Sequence, residues 1–136
     1  MGIDFDYLKS RIVELRGILQ ELVRLSSKPY PDLSLDERYS LRYHIVVLAE
    51  ALGSICLHIA IEDLGLEPKS YAECFKLLES KGIILGADEL INIARLRNLL
   101  VHRYRVIDDA RVYEEIRERL GDIEKILRLV KEKYGL

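Results

Sequence analysis

From Tyr7 to Leu25 the apolar positions recur at three- and four-residue steps: Tyr7 or Leu8, Ile12, Leu15, Ile18 or Leu19, Leu22 and Leu25. That period gathers them on one face and predicts an amphipathic helix over residues 4–25. Ser26–Asp32 interrupts it with Pro29 and Pro31, and is expected to be the most loosely held segment. Ser34-Leu-Asp-Glu37 reads as a capping box, so a second helix starts near Leu35 and runs to about Asp63. Between Ile45 and Ile61 its only charge is Glu50. A helix apolar nearly all round is one buried on two sides. The bundle core would cover one side and a second copy of the chain the other, with Ala51, Gly53 and Ser54 permitting close approach. The run is long enough to cross a membrane, but Glu50 within it, with His44 and His58, argues against a span.

Gly65 and Pro68 mark the next turn. Ser70-Tyr-Ala-Glu73 repeats the capping-box pattern and opens a short helix to about Lys81, with Gly82 suited to the position just past its end. A fourth helix follows from Ala87 or Asp88, its inner face traced by Leu90, Ile93, Ala94, Leu96 or Arg97, and Leu100. The last runs from Asp108 or Asp109 to about Tyr134, with Val112, Ile116, Leu120, Ile123, Leu127 and Val130 as its stripe. Residues 101–107 are the only strand candidate. The chain therefore reads as all-α: an up-and-down four-helix bundle with one extra short helix, in a single domain spanning 1–136.

Composition narrows the function. With 49% hydrophobic and 32% charged residues, the chain is neither disordered nor fibrous. A net charge of −2 means that any contact with nucleic acid must be local. Cys56 and Cys74 fall in apolar helical runs without a Cys-x-x-Cys pairing, as buried thiols in a reducing cytoplasm do. The start, Gly-Ile-Asp-Phe-Asp-Tyr, lacks the basic and apolar regions of a signal peptide. His44 and His58 are separated by roughly 21 Å along one helix and cannot share a metal ion. No cluster of ligating residues has metal-site spacing, so neither a metal nor another cofactor is expected.

The local exception to the weak net charge is residues 95–107. Between Glu89 and Asp108 there is no acidic residue, yet Arg95, Arg97, Arg103 and Arg105 all lie there, with His102 among them and Tyr104 two residues on. Arginine grips phosphate oxygens with a planar fork where lysine offers a point charge. An imidazole can accept and return protons near neutral pH. Together they could cleave a phosphodiester: His102 moving the proton, Arg97 stabilising charge on the phosphoryl oxygens, and Asn98 holding a phosphate or orienting the ring. On an unbroken helix, however, residues five apart are displaced by roughly 140°. Either the helix breaks after about Leu100, or a second subunit completes the site. One His per subunit also serves poorly as both base and acid in one turnover, which again favours a site where two subunits meet. The plain structural reading is a charge-capped helix end with its arginines paired to acids elsewhere.

The string Arg97-Asn98-Leu-Leu-Val-His102-Arg103-Tyr104, followed by Val106-Ile107-Asp108, resembles the Arg-x4-His-x-Tyr signature of HEPN-domain proteins. More closely it resembles the HepT-like ribonuclease toxins, over about residues 4–130. The resemblance implies a HEPN-like homodimer in which Arg and His of both subunits line an interface cleft and cleave RNA without a metal. It implies as partner a small MntA-type nucleotidyltransferase antitoxin that attaches AMP to the tyrosine, here Tyr104. Arg103 departs from the small or acidic residue often found between His and Tyr; it and Arg105 are expected to support RNA binding. The alternative is a non-catalytic HEPN partner that binds a nucleotidyltransferase or a nucleotide.

Overall fold

The computed structural model describes residues 2–102 and 107–136. Its helices are α1 (Phe5–Ser26), α2 (Leu35–Glu62), α3 (Tyr71–Ser80), α4 (Ala87–His102) and α5 (Asp109–Tyr134), with a 3-10 turn at Tyr30–Asp32; no strand occurs among the described residues. Helices α1, α2, α4 and α5 form the bundle: α1 packs against α2 and α5, and α4 packs against the same two. The short α3 leans on α2 and α4. The apolar stripes expected from the sequence are the ones buried, from Leu8 to Leu25 on α1 and from Val112 to Val130 on α5.

The caps explain where the helices begin. Ser34 accepts a hydrogen bond from the Glu37 N–H at 3.1 Å, and the Glu37 carboxylate accepts from the Ser34 N–H at 3.0 Å, a complete capping box. Asp4 and Asp108 cap α1 and α5 by accepting from the N–H groups of Tyr7 and Arg111. At α3 Ser70 accepts from the Glu73 N–H, but the Glu73 carboxylate turns to the Lys69 N–H instead, so that box is only half made.

Two expectations are corrected. The Ser26–Asp32 segment is not loosely held. It contains the 3-10 turn, and the buried Tyr113 of α5 donates its hydroxyl hydrogen to the carbonyls of Ser26 and Lys28, one at a time. The Tyr30 ring is held between Tyr113, at 5.6 Å, and the Arg38 guanidinium, at 4.4 Å. Nor are Ala51 and Gly53 open to a second subunit. Ala51 is buried within the chain's own core, and Gly53 lies under the Tyr71 ring of α3.

On either side of that Tyr71–Gly53 contact α2 leaves positions uncovered. Tyr39, Tyr43, Val46 and Glu50 before it and Leu57 and Ile61 after it follow the helical period, and all are exposed or half-buried. Helix α2 is long and apolar enough to cross a membrane, but 56% of its most apolar stretch is buried inside the bundle. Here it serves as the core helix.

Candidate functional site

Helix α4 positions the arginine cluster. Leu90, Ile93, Leu96 and Leu100 are buried, which turns Arg95 and Asn98 outward and leaves Arg97 on the edge facing α2. The Arg97 side chain is 29% exposed. Its Nε is buried and without a hydrogen bond among the described residues, so the stem lies inside and the fork at the surface. One terminal nitrogen donates to Asn98 Oδ1 at 3.0 Å and the other to Glu50 Oε1 at 3.4 Å. Each terminal nitrogen carries two hydrogens, so one on each stays unbonded among the described residues and is available to an anion.

Glu50 is the residue whose role the sequence did not show. It is visible there as the only charge in an apolar run, and the structure gives that charge its counter-ion. The distance is long for a charge-assisted bond and the carboxylate is 49% exposed, so the pair is weak and neutralises the guanidinium only in part.

His102 is exposed, and α4 runs unbroken from Arg97 to it. The helix therefore does not break between Leu100 and His102. Five helical residues separate the two side chains by about 140° in angle and about 7.5 Å along the axis. Within one chain Arg97 faces α2 and His102 does not share that face. Arg103, Tyr104 and Arg105 lie outside the described residues, as does most of the 101–107 strand candidate, of which Val101 and His102 are helical.

The start of α5 is tied to α2. Arg42 of α2 grips Asp109, the first residue of α5, with two bonds of 2.7 and 2.8 Å. The Asp109 hydrogen bonds hold the Arg42 pKa above its ordinary value. Arg97 thus stands level with Glu50 of α2, and the start of α5 level with Arg42.

The other two histidines are structural. His58 Nε2 accepts from the Asp4 N–H at 3.0 Å, which requires the proton on Nδ1. His44 Nδ1 lies 2.8 Å from the Ser40 carbonyl, one turn back on its own helix. Cys56 and Cys74 are buried free thiols, and burial pushes the Cys56 pKa far up. Among the described residues no three His, Cys, Asp or Glu side chains gather as a metal site would require.

Beside Arg97 a groove of about 580 Å³ opens between α3 and α4, with Tyr71, Ala94, Arg95, Arg97 and Asn98 on its walls. Arg95 Nη1 donates to Asn92 Oδ1 at 2.8 Å and the residue is otherwise exposed. Neither the groove nor the Tyr71–Gly53 contact has a local sequence signal, because the two residues are brought together only by the packing of α3 on α2.

The described residues form an all-helical bundle that presents an arginine fork on one edge of α4 and a histidine further along that helix, the HEPN-like fold class that the resemblance of the Arg97–Tyr104 string implied. The comparisons narrow it further. The family model described as "Ribonuclease HepT-like" matches residues 12–130, and the chain belongs to this HepT-like family. Among curated proteins no significant match was found.

The fold is similar to that of solved toxin–antitoxin proteins. A chain of an MntA–HpeT toxin–antitoxin mutant superposes with a TM-score of 0.81 at 20% identity, over 93% of this chain and 98% of that one. The tri-AMPylated Shewanella oneidensis HEPN toxin in complex with MNT antitoxin gives 0.81 at 22% identity, with the same coverage. YutE, a cytosolic protein of unknown function from Bacillus subtilis, gives 0.83 at 16% identity, over 96% of this chain and 90% of that one.

Proposed function

We propose that the protein is a metal-independent endoribonuclease, the toxin of a toxin–antitoxin pair, acting in the cytoplasm as a homodimer of single-domain subunits. In this reading Arg97 of one subunit and His102 of the other form each site. The observation that carries it is Arg97 itself: a permanently charged fork, buried along its stem, held by Asn98 and Glu50, with N–H groups left for a phosphoryl oxygen. His102 takes the 2′-hydroxyl proton while Arg97 stabilises the charge that builds on the phosphate. Cyclisation to a 2′,3′-cyclic phosphate then expels the 5′-oxygen, which must receive a proton. A second imidazole at the same interface serves that step better than one alone.

The unbroken α4 supports a composite site, since it separates the two groups within a chain. The uncovered stripe of α2 supports the dimer. It is apolar apart from Glu50, and Glu50 is the residue that holds Arg97, so a second copy docked there lies against the arginine. The antitoxin partner and AMP attachment at Tyr104 rest on the family and on the solved complexes of similar fold.

The test is cleavage of single-stranded RNA in the presence of a chelator. Arg97→Ala and His102→Ala are each expected to lower the rate by at least about 100-fold, the usual range for loss of a proton-transfer or charge-stabilising group. Wild-type protein without cleavage would overturn the reading. The Arg97–Glu50 pair is the one observation that favours the second reading, a non-catalytic partner of a nucleotidyltransferase, because a paired arginine is partly neutralised.

A further inference from the structure

The groove beside Arg97 has walls of three chemical kinds. Arg95 and Arg97 bring positive charge, Asn98 an amide, and Tyr71 with Ala94 an apolar wall. The Tyr71 wall is held in an unusual way. A Cβ built on Gly53 would meet three ring atoms of Tyr71 at 2.4, 2.4 and 2.6 Å. Near-equal distances to Cε1, Cζ and Cε2 place Gly53 over the ring's face and not at its edge. The ring therefore lies flat on bare backbone of α2. Its neighbour Phe75, centred 6.4 Å away, is fully packed in the core. Tyr71 remains partly exposed and lines the groove.

We propose that this groove is a nucleotide subsite for single-stranded RNA, in which an unstacked base lies against Tyr71 while Arg95 and Arg97 hold the phosphates on either side. The inference rests on the RNA-cleaving reading and deepens it: the subsite holds the nucleotide that stands beside the scissile bond. Three features favour a nucleotide over a simple anion. A flat aromatic wall has no use for phosphate alone, but a base of any kind can stack on it. Two arginines flanking the Ala94–Asn98 strip of α4 suit two successive phosphates. An amide within reach of the Arg97 fork can donate to or accept from a base edge. Duplex RNA keeps its bases stacked on one another and cannot use such a wall.

The experiment is fluorescence anisotropy of the full chain carrying His102→Ala, titrated into a short fluorescein-labelled single-stranded RNA at several salt concentrations, with a duplex of the same sequence as control. Tyr71→Leu is expected to weaken single-strand binding about tenfold with an unchanged salt slope, as loss of a stacking wall does. Tyr71→Phe retains the wall and should retain affinity within about twofold of the parent. Gly53→Ala, which displaces the ring, should match Tyr71→Leu. Arg95 is exposed and its replacement does not threaten the fold, so Arg95→Ala is the variant that decides should the others fail to fold. It should weaken binding and lower the salt slope by about 0.7, one phosphate contact on a single strand.

Arg95→Ala with parental affinity and slope would overturn the subsite, as would folded Tyr71→Leu that binds like the parent. Failure of the wider reading looks different. In that case protein with His102 intact binds single strands through Tyr71 and Arg95 but leaves them uncut.

Discussion

Arg97 and Glu50 show how one residue can be both anchored and available. The guanidinium is oriented by a carboxylate and an amide, yet keeps one hydrogen on each terminal nitrogen. Because both side chains reach the surface, Glu50→Ala should change stability by less than about 0.5 kcal/mol. The same variant removes a negative charge beside the phosphate position, so it should bind single-stranded RNA a few-fold more tightly. Weaker binding in an anisotropy titration would mean that Glu50 aims the fork more than it competes for it. Tyr113 is the opposite case, a buried group with a purely structural task. Tyr113→Phe leaves the carbonyls of Ser26 and Lys28 without their shared donor and should cost about 1–3 kcal/mol in urea unfolding. A loss near zero would mean that water reaches those carbonyls.

At the scale of the elements, local chemistry set most of the boundaries, and local chemistry is legible. Asp108 caps α5, Ser34 and Glu37 open α2, and the α1 and α5 stripes are buried as their spacing requires. The errors came where tertiary packing decided. The two prolines after α1 promise looseness, but Tyr113, 87 residues from Ser26 in sequence, closes that segment. Gly53 looks like a contact point for a neighbour, but Tyr71 of the same chain occupies the space. The same limit hid the groove and the counter-ion of Arg97, since the one needs α3 folded back on α4 and the other joins α4 to α2, 47 residues away in sequence.

The α2 start also carries a pH signature. The Lys28 ammonium, then the Ser34 N–H, hold the Glu37 carboxyl down to about 2. A carboxylate whose pKa is depressed on folding contributes stability that is complete above its unfolded value, about 4.3, and is lost as pH falls through the folded one. Urea midpoints should therefore fall between about pH 4.3 and about pH 2, and Glu37→Gln should remove that part of the slope. An identical slope in the variant would assign the acid sensitivity to other carboxylates.

For the whole molecule, the arginine and the histidine of the signature belong to one helix but not to one face. In the proposed reading, that fact makes association of two chains part of the chemistry. The uncovered α2 stripe offers the means: Tyr43 is 63% exposed, Tyr39 52% and Ile61 45%, large apolar surface that an isolated bundle would leave wet. Tyr43→Glu should leave the bundle folded, since little of that side chain is buried, while converting a dimer to monomers in light scattering and abolishing RNA cleavage. A monomeric variant with full activity would place both catalytic groups within one chain.

A composite site has a sharper consequence. Arg97→Ala and His102→Ala subunits are each expected to be inactive alone, but a dimer of one with the other would hold one site with both groups and one with neither. After co-refolding of equal amounts, about half the dimers are mixed and each has half its sites intact, so at most about one quarter of wild-type cleavage should return, and less to the extent that the missing second imidazole serves the 5′-oxygen. The decisive measurement is that recovery, with mixed dimers verified by native mass spectrometry. Activity clearly above that of either parent, up to about one quarter of wild type, is the predicted result. Mixed dimers as inactive as their parents would contradict a site built from Arg97 of one subunit and His102 of the other.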